Sequence, residues 1–71
     1  MELGIIKVDC YNDSQILLTG TTRENYKELV EIWINYKRGH LHDEIQEIEN
    51  ESGSIALDFS AVIMIVFELE V

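Results

Sequence analysis

The sequence predicts an α+β domain, a small antiparallel sheet of four to five strands with one amphipathic helix packed on one face, in the order β-β-α-β-β with the last strand long and bent. Two observations carry this reading. From Ile55 to Val71 every odd-numbered residue is apolar, and a period of two paints one unbroken apolar face on a pleated strand. Between Thr21 and about Arg38, by contrast, the apolar residues recur at helical spacing.

The first strand runs from Leu3 to Tyr11, with Ile6, Val8 and Cys10 on one face and Ile5, Lys7 and Asp9 on the other. Asn12, Asp13 and Ser14 are turn formers because short polar side chains bond to their own main chain, so a second strand, Gln15 to Thr19, completes a hairpin that Gly20 ends. Thr21, or else Thr22, caps the helix, and with Thr21 in that role Glu24 takes the third helical position of a capping box. Tyr26, Leu29, Val30 and Trp33 share one stripe, while Glu24, Lys27, Glu28, Glu31, Asn35 and Arg38 lie opposite. Gly39 is the expected left-handed terminator.

The segment His40 to Glu51 has Ile45 and Ile48 in an acidic surround; their spacing of three suits a helical turn capped by Asp43, but the reading preferred is an edge strand that feeds through Ser52-Gly53-Ser54 into the final stretch. That stretch would exceed about 50 Å if straight, at about 3.3 Å per residue, so it must bend, most cheaply at Ser60 and Ala61. Its even-numbered face carries Val62, Met64 and Val66. With no second amphipathic helix to cover them, these three are expected to form a self-association or partner surface, and the chain is expected to be a homodimer; the alternative is that the strand curls so that both its faces are internal, as in a small barrel.

All 71 residues are read as a single domain. One cysteine, Cys10, cannot make an internal disulfide, and the longest apolar run, Ala61 to Phe67, is far short of the roughly 18 residues of a membrane helix. A cytoplasmic location without a membrane partner is expected. The chain holds 14 acids and 5 bases, a net charge of −9. Thr21 to Gly39 carries a balance of +1, which leaves −10 for the rest. Direct nucleic-acid binding is disfavoured, since phosphates require an excess of Lys and Arg; a basic protein partner is favoured.

No motif for catalysis emerges, and an enzyme is not expected. Cys10 has no neighbouring His or cation in sequence and reads as a core residue, Asp58 reads as a solvated acid, and the glycines are isolated rather than clustered into a phosphate loop. His40, His42, Asp43 and Glu44 are too few and too alike a polar connection to predict a metal site, so neither metal nor cofactor is expected. The run Asp43, Glu44, Glu47, Glu49 and Glu51 contains no base and can imitate a phosphate track. The function expected is therefore an acidic, non-catalytic inhibitor of a nucleic-acid-handling protein, of the antitoxin, immunity or phage anti-defence kind. The alternative is a homodimeric accessory or structural subunit that acts through Val62, Met64 and Val66.

Overall fold

The structure, a computed structural model, describes residues 2–40, 44–50 and 53–70. Strands β1 (Gly4–Cys10) and β2 (Gln15–Thr21) precede helix α1 (Arg23–Lys37), which is followed by β3 (Ile45–Asn50), β4 (Gly53–Asp58) and β5 (Val62–Leu69). The α+β class is as expected, but the strands form two antiparallel sheets rather than one: a three-stranded sheet in the order β2-β1-β5 and a two-stranded β3-β4 sheet. No helix among the described residues is long and apolar enough to cross a membrane.

The β1–β2 turn follows from its residues. Asp13 takes a positive φ of 62°, and the Asn12 side-chain oxygen accepts from the Ser14 N–H and hydroxyl. Near the other end of β2 the register shifts between Gly4 and Ile6, a bulge completed by Gly20 at φ 64°. Thr21 is buried there, and its hydroxyl donates to the Gly4 carbonyl at 2.9 Å. This engagement removes Thr21 from the capping role. Thr22 is the N-cap instead, accepting from the Asn25 N–H at 3.2 Å while the Asn25 side chain accepts from the Thr22 N–H at 2.9 Å, so Asn25 rather than Glu24 closes the capping box. At the far end Gly39 adopts φ 78°; its N–H donates to the Tyr36 carbonyl and that of His40 to Asn35, the paired bonds of a Schellman termination.

The core joins both sheets to the helix. Ile6, Val8 and Leu18 come from the first hairpin, Leu29 from α1, Leu57 from β4, Val62 and Ile65 from β5, with Phe59 fully buried among them. Tyr26 packs on the Phe67 ring with centroids 6.0 Å apart, and Tyr36 on Phe59 at 6.4 Å. The indole N–H of Trp33 is buried without a partner among the described residues.

The bend of the last stretch falls at the small residues, as a 3₁₀ turn over Phe59–Ala61. The Asp58 carboxylate caps this turn, accepting from the Ser60 N–H at 3.0 Å and from its hydroxyl. The turn also corrects the expected outer face. Phe59 points inward, the turn advances the phase by one residue, and Val62, 1% exposed, becomes part of the core. A register shift between Asp9 and Cys10 then makes Ile63 an extra residue, and inward packing resumes at Ile65 and Phe67. Two phase shifts cancel, so the alternation of the sequence runs through a corner without showing it. Val62 is not available for self-association.

Gly4 lies against β5, where an added Cβ would collide with the Glu68 carbonyl oxygen and sit 2.7 Å from the Phe67 ring. Gly4→Ala is expected to cost about 1–3 kcal/mol, because backbone and ring must both yield. Phe59→Ala is expected to cost about 3–5 kcal/mol, comparable to the whole stability of a domain this small. Urea titrations followed by circular dichroism check both; an unchanged midpoint in either variant would contradict the packing described.

Candidate functional site: the acidic face of the β3–β4 hairpin

Ile45 pairs with Asp58, Glu47 with Ala56 and Glu49 with Ser54 across the β3–β4 ladder. Because strand side chains alternate, these six residues share one face, and all six are exposed. The opposite face carries Ile48 and Ile55, packed against the core, and the buried Leu57. Hydrophobic burial thus holds the hairpin by one side and leaves three carboxylates, Glu47, Glu49 and Asp58, on the other. Glu47 and Glu49 stand about 6.6–7 Å apart along the strand, two residue steps of an extended chain. Ile45, 64% exposed, is the large apolar side chain in this acidic surround.

Glu44 is exposed just ahead of β3, and its carbonyl accepts the Phe59 N–H at 2.8 Å, which ties the acidic face to the corner. Asp43 and Glu51, also expected to supply charge, lie outside the described residues, as does His42. No base lies on the hairpin. The ion pair found among the described residues is elsewhere, Lys7 to Glu68 at 2.8 Å, and Arg23 stands over the Phe67 ring at 5.2 Å.

The remaining expected sites take definite places. Among the described residues no group of three or more His, Cys, Asp or Glu could hold a metal. Cys10 is half-buried and packs against the core. Asp58 spends its carboxylate on capping the 3₁₀ turn. Met64 is 47% exposed, but Val66 is half-buried, and the sheet face they share is crossed by the Lys7–Glu68 pair and by a Gln15 to Asp9 hydrogen bond of 2.7 Å. That face is a mosaic rather than a contiguous apolar patch. A cavity of about 60 Å³ between Leu18, Leu29 and Ile48, with Glu28 and Glu49 at its wall, has room for a few waters and is far below the size of a metabolite site. Reasoning from sequence missed that Ile45 and Asp58 join Glu47 and Glu49; the period of two in 45–49 held half of that signal, and the pairing partner of Ile45 did not lie in it.

The hairpin acids act on the helix. Partial burial raises the Tyr36 hydroxyl above its usual 10.0, and Glu44 and Asp58 push it further by opposing a phenolate. Ionisation is therefore harder in the folded chain than in the unfolded one. Stability is retained below the unfolded value and lost as pH rises through the raised folded value. Urea midpoints measured between about pH 8 and pH 11 are expected to fall with rising pH, and Tyr36→Phe should reduce that fall. An identical pH profile for the variant would exclude the coupling.

The chain matches no family model, no curated protein and no solved structure.

Proposed function

We propose that this chain is a small acidic binding protein without catalysis, which occupies the basic surface of a nucleic-acid-handling protein in a reducing cytoplasm and thereby inhibits or sequesters it. The observation that carries the reading is the outer hairpin face, where Glu47, Glu49 and Asp58 stand exposed at strand spacing with no base among them. Carboxylates at that spacing can replace phosphates in a basic groove, and the exposed Ile45 offers an apolar anchor of the kind that binding energy concentrates on. The net charge of −9 adds long-range attraction toward a cationic partner. Glu68 is a weaker contributor, since Lys7 neutralises it.

A homodimeric accessory or structural subunit is the second reading. The exposure of Met64, together with Ile63 and Leu69 on the same strand, favours it.

Immobilised chain is expected to retain a basic protein from host extract at low salt and to release it at high salt. Against that purified partner, Glu44→Lys/Glu47→Lys/Glu49→Lys should slow association about ten- to a thousand-fold at low salt, with the circular dichroism spectrum unchanged. Equal association rates for the parent and the variant would sink the charge-mimic reading.

A further inference from the structure

The Phe59 N–H bonds the Glu44 carbonyl at the open end of the β3–β4 ladder. Antiparallel bonding alternates, so Leu57, Ile55 and Gly53 exchange main-chain bonds with β3, while Ser54, Ala56 and Asp58 turn their N–H and C=O groups to the other side of β4. Among the described residues no main-chain partner meets them there. An unpaired row of this kind is a template for one more strand. The β2 and β5 edges are interrupted, by the bulge at Gly20 and by the extra residue Ile63, and the β3 edge faces Leu18 and Thr21 across a small cavity.

The side chains beside the β4 edge decide what fits it. Ser54 and Ala56 are small and exposed, and directly behind them on the same face stand Glu49 and Glu47, their partners in the ladder. A strand laid beside β4 would lie about 9–10 Å from β3, two interstrand spacings. A long Lys or Arg side chain can lie flat over a residue as small as alanine and bring its charged head to the carboxylate beyond. A second copy of this chain is disfavoured as the occupant, because it brings the same acids and a net charge of −9 to the same edge. The charge of the face therefore selects a basic strand.

We propose that the β4 edge receives an extended segment of the basic partner as a third, antiparallel strand, with Lys or Arg at alternate positions. The basic residues opposite Ser54 and Ala56 reach over them to Glu49 and Glu47, and a third, opposite Asp58, continues the row. The residue between the first two falls on the other face beside the half-buried Ile55 and is apolar. The inference rests on the acidic-face reading and gives it a mode of recognition: main-chain bonds along β4 hold the segment, and the carboxylates select its sequence.

Titration of the labelled protein with two end-blocked peptides, followed by amide NMR at low salt, tests it: Lys-Val-Lys-Val-Lys, and Val-Val-Lys-Lys-Lys of the same composition. The alternating peptide is expected to bind the parent about ten-fold more tightly than the reordered one, the difference that main-chain pairing adds to charge. Ala56→Pro removes an outward N–H and costs β4 no ladder bond, so it should erase that preference and leave the reordered peptide's affinity unchanged. Glu47→Gln/Glu49→Gln should weaken both peptides. Equal affinities for the parent, no binding of either peptide, or a preference that survives Ala56→Pro would overturn the pairing. In the first and third cases, weakening by the Gln variant would leave the acidic-face reading standing, and unchanged binding would remove that reading as well. Should Ala56→Pro not fold, the parent decides: the Ser54 and Ala56 amides should exchange several-fold more slowly with the alternating peptide bound and show nuclear Overhauser contacts to its backbone, and the absence of both would refute the pairing.

Discussion

The corner from Asp58 to Val62 is the constraint on which the rest of this structure depends. A chain of 71 residues buries a smaller fraction of its surface than a larger domain, and its alternating stretch from Ser54 to Val71 is too long for one straight strand. The 3₁₀ turn resolves this by passing the chain from the β3–β4 sheet to the β2-β1-β5 sheet, with Phe59 packed where both sheets meet α1. Burying a ring of that size is worth about 1.5–3 kcal/mol, a large share for a domain this small. Polar bonds fix the geometry that burial favours: Asp58 caps the turn, the Phe59 N–H reaches Glu44, and the Tyr11 N–H reaches the Ala61 carbonyl at 2.9 Å.

Asp58 links fold to site. The same carboxylate that caps the corner belongs to the exposed acidic face, so charge there has a structural duty as well as an electrostatic one. Glu47 and Glu49 carry no such duty in the bonds described, and they are the residues at which charge can be varied while the corner stays intact. Elsewhere the acids are engaged differently. Glu68 is held by Lys7, and Asp9 accepts from Gln15. The hairpin carries its acids with no base among them, and it is also the element that closes one side of the core.

What the sequence revealed, and what it hid, has physical reasons. The helix stripe, the Gly39 terminator and the bend at Ser60 and Ala61 were legible because each depends on residues close in the chain. The N-cap was ambiguous between Thr21 and Thr22, and a contact 17 residues away decided it, the hydrogen bond from the Thr21 hydroxyl to Gly4. The division into two sheets depends on which strands pair, which no local pattern encodes. Val62 was misplaced because the turn and the bulge each shift the phase by one residue, and their cancellation leaves an alternation identical to that of an unbroken strand. Of the acidic site, the alternation of Glu47 and Glu49 was readable; the company of Asp58 and the prominence of Ile45 required the ladder.

The most direct test of this account is a nuclear Overhauser measurement across residues 57–66 of the protein in solution. The corner predicts strong amide-to-amide contacts from Phe59 to Ala61, Val62 methyl groups in contact with core side chains, and a phase change between Val62 and Ile65. A continuous extended pattern through this segment, with Val62, Met64 and Val66 together on a solvent face, would contradict it.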